Sequence, residues 1–124
     1  MVYITHDYLL EHPQYVFVFG DNALRKGYGG AAKFRNHPNT YGFITKKAPN
    51  NNDGSFYTPE EYWPVYQREI QAFRQHYEEH PEVEKYLVSP IGGGLANQYG
   101  IFEQIVHPNL RKDLSDLDRI VYLF

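Results

Sequence analysis

A run of apolar residues, Tyr15-Val16-Phe17-Val18-Phe19, passes directly into a glycine-rich stretch that ends at Arg35. No polar residue interrupts the run, so a strand built from it is covered on both faces. That demands helices above and below a largely parallel sheet. The stretch that follows, Gly20 to Arg35, carries Gly27, Gly29 and Gly30 and then Ala31-Ala32-Lys33-Phe34, which opens a helix over about Gly30 to Arg35. Glycines let the backbone pass close to a ligand, and free N–H groups at such a turn bind anions. A second apolar run, Tyr86-Leu87-Val88, leads to Ile91-Gly92-Gly93-Gly94-Leu95. Two loops of this kind facing each other predict a pair of phosphates.

With 124 residues the chain forms one domain over 1–124 with a core that needs no staple. It has no cysteine, which removes disulfides and a thiol nucleophile from consideration. No apolar run reaches the length of a membrane span, and Met-Val-Tyr-Ile-Thr-His lacks the layout of a signal peptide. A soluble, cytoplasmic protein with no membrane partner is expected. The net charge is −3, yet between Asp21 and Lys47 stand Arg25, Lys26, Lys33, Arg35, Lys46 and Lys47 against Asp21 alone. Positive charge therefore accompanies the first glycine loop. The twelve tyrosines are read chiefly as amphipathic core edges and secondarily as base-stacking surfaces.

Along the chain, Val2-Tyr3-Ile4 reads as a first strand and Thr5 as the cap of a short helix that Pro13 ends. Tyr41 to Thr45 is a strand that delivers Lys46 and Lys47 at its end, and Ala48 to Phe56 is a surface loop. Thr58-Pro59-Glu60-Glu61 has the form of a capping box. Tyr62, Tyr66, Ile70, Phe73 and Tyr77 then mark the buried stripe of a long helix, with Pro64 expected to kink it or delay its start. Lys85 to Ser89 is a strand, Ile101 to Val106 a helix closed by Pro108, and Arg119 to Phe124 a last strand. The order predicts an α/β fold: three α/β/α layers around a mixed, mostly parallel sheet, with its loops gathered at the strand C-terminal ends.

Gly27-Tyr28-Gly29-Gly30-Ala31-Ala32 satisfies G-x-G-x-x-A, but the strand ends well before Gly27 and no acidic residue closes a second strand at the required distance. A dinucleotide-binding fingerprint is therefore rejected. His76 and His80 have the spacing of a zinc pair without further ligands, and no metal or cofactor is expected.

These pieces together resemble a macrodomain, and more closely the branch of terminal ADP-ribose glycohydrolases and their antitoxin relatives. The resemblance is carried by Tyr3-Ile4-Thr5-His6-Asp7, Gly27 to Phe34, Ile44-Thr45-Lys46-Lys47, the long helix, Pro90 to Leu95 and Val121-Tyr122-Leu123. Phe19-Gly20-Asp21-Asn22 is also similar to small phage macrodomain-like proteins. The resemblance implies a ligand, ADP-ribose or a related NAD-derived nucleotide, free or carried on an ADP-ribosylated macromolecule. It implies that Asp7 holds the adenine amino group, and that Gly27, Gly29, Gly30 and Ala31 with Gly92, Gly93, Gly94 and Leu95 grip the diphosphate and distal ribose. It also places Asp21, Asn22 and Asn97 at the ligand. Lys46 falls on the nucleophilic lysine of the glycohydrolase branch. The branch has a catalytic aspartate directly after G-x-G-L, and this chain has Ala96 there.

A binding module is thus the first expectation. An ADP-ribosyl hydrolase using Lys46, with Asp21 or another carboxylate in place of the missing one, is the alternative. Nucleic-acid binding through the basic segment is the third reading.

Overall fold

The computed structural model describes residues 3–124 and has an α/β fold. Four strands, β1 (Tyr15–Asn22), β2 (Thr40–Lys46), β3 (Lys85–Val88) and β4 (Ile120–Tyr122), form a sheet in the order β2-β1-β3-β4. Every neighbouring pair is parallel. Antiparallel pairing among the described residues is confined to one bridge, Lys46 to Phe56, so the sheet is more uniform than the mixed one expected. Tyr3 and Ile4 form no strand, and Val2 lies outside the described residues. Both sides of β1 are already occupied by β2 and β3, so the N-terminal residues have no place beside it.

Side chains alternate across a strand, and β1 shows both faces in use. Phe17 and Phe19 meet Leu9 of α1 (His6–Glu11) and Ala32 and Phe34 of a short helix, Gly30–Phe34. Val16 and Val18 belong instead to the larger core with Tyr62, Tyr66 and Phe73 of α2 (Pro59–Glu79) and Leu110 of α3 (His107–Asp113). The result is three layers, one of them thin. The Gly30–Phe34 helix is a five-residue 3₁₀ helix, shorter and tighter than the helix the sequence suggests. Its N–H groups at Ala32 and Arg35 bond three residues back, to Gly29 and Ala32, as is usual for a short connector.

The capping box at Thr58 is formed in both directions, and α2 runs without a break through Pro64 to Glu79. Pro64 does not delay it: the carbonyl left without a donor belongs to Glu60, which faces water. All five residues of the expected stripe are buried, and Glu69 is buried with them. Glu69 accepts the Ile44 N–H at 2.6 Å, while the Tyr62 hydroxyl donates to the Ile44 carbonyl at 2.6 Å. Both backbone groups of Ile44 are thereby closed on the edge strand β2, which otherwise would offer a template for pairing.

Pro108 does not end the helix that begins at Ile101. A π-helical turn, Phe102–Val106, leads directly into α3. The wide turn moves the helix off the i→i+4 pattern that proline cannot continue, and the Asn109 side chain bonds the Ile105 carbonyl at 2.8 Å. His76 and His80 hold the end of α2 together. His76 Nδ1 lies 2.9 Å from the Tyr86 hydroxyl, and His80 Nδ1 donates to the His76 carbonyl at 2.8 Å. Among the described residues no group of three or more His, Cys, Asp or Glu side chains is placed to hold a metal. Among the described residues no helix is long and apolar enough to cross a membrane.

Candidate functional site

From β1 the chain crosses to β2 on one side, then passes to β3 on the other side of β1 and onward to β4. The loops leaving β1 and β3 therefore diverge to opposite sides of the sheet. Ligands of open α/β sheets bind in the crevice that such a divergence opens. A cleft of about 380 Å³ lies there, lined by both glycine loops and by the ends of β1 and β2.

The cleft brings together most of the residues singled out from the sequence: Asp21, Asn22, Gly27, Gly29, Gly30, Ala31, Lys46, Gly92, Gly94 and Leu95. Three others lie elsewhere. Asp7 is exposed in the first turn of α1 and does not line the cleft. Gly93 turns away from it: a Cβ added there would meet the Pro90 carbonyl oxygen at 3.0 Å and the Phe102 ring at 3.2 Å. Asn97 lies in the loop before the next helix and is engaged with its first turn, accepting the Phe102 N–H at 2.9 Å and donating to Glu103.

Strand β1 continues past Phe19 through Gly20-Asp21-Asn22, so Asp21 is a strand residue and the first loop begins only after Asn22. The Asp21 carboxylate is buried and fully occupied. Arg35 grips it with two nitrogens, at 2.9 and 2.7 Å, Arg25 reaches it at 3.2 Å, and the Asn22 N–H donates to it at 2.8 Å. The bond to Asp21 raises the Arg35 pKa above its ordinary value. A carboxylate held by two guanidinium groups is an anchor rather than a proton carrier. Asn22 is likewise spent on the loop, donating to the Lys26 carbonyl at 2.7 Å and accepting the Leu24 N–H at 3.1 Å.

Room for this cluster comes from Gly42 of β2. A Cβ there would stand 2.4 Å from Asp21 Oδ2 and 2.8 Å from an Arg25 nitrogen. Its carbonyl also accepts from Arg25 at 2.5 Å. Gly42 and Arg35, which support the cleft without lining it, were passed over in motif reading. Arg35 was visible only as one charge of six, and Gly42 only as a glycine inside a strand, which marks a close approach.

Lys46 closes the cleft from β2. The pairing register slips beside it, from Asp21 opposite Ile44 to Asn22 opposite Lys46, and such a bulge re-aims a side chain. Lys46 is 8% exposed. Its Nζ donates to the Asn50 carbonyl at 2.9 Å and to Asn51 Oδ1 at 3.3 Å, and lies 4.8 Å from the centre of the Phe56 ring. No carboxylate stands within salt-bridge distance among the described residues, in contrast to Lys47, which pairs with Glu61 at 2.8 Å. Burial lowers the Lys46 pKa below its ordinary value.

Backbone donors complete the site. Among the described residues, the N–H groups of Gly27, Tyr28, Gly29, Gly30 and Ala31, and of Gly92, Gly94, Leu95 and Ala96, donate to no protein acceptor. All of these residues line the cleft. Backbone donors kept from other protein groups require water or a ligand. Leu95 packs toward the first loop, its Cδ1 being 3.5 Å from the Cβ position of Gly30, so the two loops meet across the opening. The basic segment does not form a continuous charged face. Arg35 pairs with Asp21, Arg25 with Asp21 and Glu69, and Lys47 with Glu61.

No curated protein and no solved structure matches this chain. A family model does match, over residues 2–100, a span that includes both glycine loops and every residue of the cleft. By that match the chain belongs to DUF7831, a family of unknown function.

Proposed function

We propose that the cleft binds a diphosphate-bearing nucleotide, ADP-ribose or a related derivative of NAD, and that the protein acts as a reader or sequestering module for it. The observation that carries this reading is the pairing of N–H groups without protein acceptors from both glycine loops with Lys46, a buried cation without a carboxylate partner. A dianionic ligand supplies both with what they lack. The one carboxylate of the cleft, Asp21, is neutralised by Arg25 and Arg35 and does not repel it. Tyr28, exposed at the rim, offers a flat face to a nucleoside.

A second reading, hydrolysis with Lys46 as nucleophile, draws support from the lowered pKa of Lys46 in the cleft. It lacks a free acid or base. Asp21 is occupied, and Ala96, which lines the cleft and is buried, has no proton to give. Losing a positioned acid or base costs about a hundred- to ten-thousandfold in rate. Incubating the protein with a glutamate-linked ADP-ribosylated peptide should therefore release at most a trace of ADP-ribose, unchanged in Lys46→Ala, and Ala96→Asp is the variant expected to gain activity. Rapid release by the wild type that Lys46→Ala abolishes would make the enzyme reading the correct one.

A further inference from the structure

We infer that Arg35 is the positioning residue of the anion site, fixing the first glycine loop so that the N–H groups of Gly27 and Tyr28 face the ligand. This rests on reading the cleft as a phosphate site. The side chain of Arg35 is 15% exposed, and its guanidinium makes four directed bonds. Two go to the carboxylate of Asp21, itself seated at the end of β1. The other two go to the loop backbone: Nε donates to the Gly27 carbonyl at 3.0 Å, and a terminal nitrogen donates to the Lys26 carbonyl at 3.1 Å. Asn22 adds a second donor to the Lys26 carbonyl.

Those two carbonyls determine where two N–H groups point. In a trans peptide the C=O and the following N–H are antiparallel, and no peptide bond among the described residues is cis. With the Lys26 and Gly27 carbonyls drawn toward Arg35, the N–H groups of Gly27 and Tyr28 are turned to its opposite side. Neither N–H has a protein acceptor, and both residues line the cleft. Gly27 adopts φ +90°, a conformation open to glycine at little cost, which is what lets the loop present both carbonyls to one guanidinium. Arg35 therefore acts through geometry, not through its own charge on the ligand, which Asp21 cancels. Lysine cannot replace it, because an ammonium lacks the planar fork that spans a carboxylate and two carbonyls.

The test is ¹⁵N-resolved NMR of the whole chain, titrated separately with inorganic pyrophosphate and with ADP-ribose. In the wild type both probes should move the Gly27 and Tyr28 amide protons downfield, as hydrogen bonding to an anion does. Arg35→Lys should keep a dispersed, folded spectrum, lose those shifts and bind pyrophosphate about tenfold or more weakly, the effect of losing charge-assisted bonds. Asn22→Ala, which leaves the Arg35–Asp21 pair in place, should weaken the same shifts partially, and carries the test if Arg35→Lys does not fold. Shifts with pyrophosphate but none with ADP-ribose would end the nucleotide reading and uphold the role of Arg35. ADP-ribose binding that leaves the Gly27 and Tyr28 amides unmoved, or that Arg35→Lys retains in full, would overturn the role of Arg35 and uphold the nucleotide reading. No amide shift with either anion would overturn both.

Discussion

Gly42→Ala should destabilise the protein by about 3 kcal/mol, the combined order of overpacking a filled site and disturbing a buried ion pair. The added methyl would stand 2.4 Å from Asp21 Oδ2 and 2.8 Å from an Arg25 nitrogen, and both lie far inside van der Waals contact. The carboxylate has no alternative position, because Arg35 holds it from the other side and the Asn22 N–H from its own strand. Relief must come from β2 moving away from β1, which strains the parallel ladder through Phe19 and Gly42. Urea denaturation with an unchanged m-value would read the loss directly. The same variant should lose nucleotide binding, since Asp21 anchors the arginine that holds the first loop.

Lys46→Met separates binding from folding. Its expected effect on ADP-ribose affinity is a loss of about a hundredfold, roughly 2.7 kcal/mol, within the range of a hydrogen bond between charged partners. Stability should change little or rise, because a buried ammonium is costly and the Asn50 and Asn51 oxygens that it satisfies belong to residues exposed to water. The pH dependence has a definite sign. Burial sets the folded pKa of Lys46 below the unfolded value of 10.5, so in the window between the two the unfolded chain binds more protons and stability rises with pH. The wild type should therefore gain on Lys46→Met as pH climbs toward 10.5. A stability difference that is flat over that range would mean that Lys46 is not desolvated in the folded protein.

The parts of the fold that follow from local pattern were legible from the residues alone. The unbroken apolar run at Tyr15 to Phe19 implied a doubly covered strand, and the four- and three-residue steps from Tyr62 to Tyr77 implied α2; both are present. The convergence of the two glycine loops followed from each standing at the end of such a strand. What escaped reading was set by tertiary partners. Asp21 looked like a free carboxylate because its two arginines sit four and fourteen residues away, and nothing local says that both turn back to it. Pro108 looked like a stop because a π-helical turn has no sequence signature to announce it. Gly93 looked equal to its neighbours in a run of three glycines. Only the packing of Phe102 and the Pro90 carbonyl against its Cβ position shows that it turns away from the cleft.

That last distinction supplies the most direct test of the binding claim. A Cβ at Gly94 would meet nothing within 4 Å, and Gly94 lines the cleft, so Gly94→Trp places a bulky ring at the cleft wall without intruding on the core. Isothermal titration of ADP-ribose into the wild type should show saturable one-to-one binding, and the same titration into Gly94→Trp should show none while its thermal unfolding midpoint stays within a few degrees of wild type. Wild-type affinity in Gly94→Trp, or no binding by the wild type at all, would contradict the assignment of this cleft as a nucleotide site.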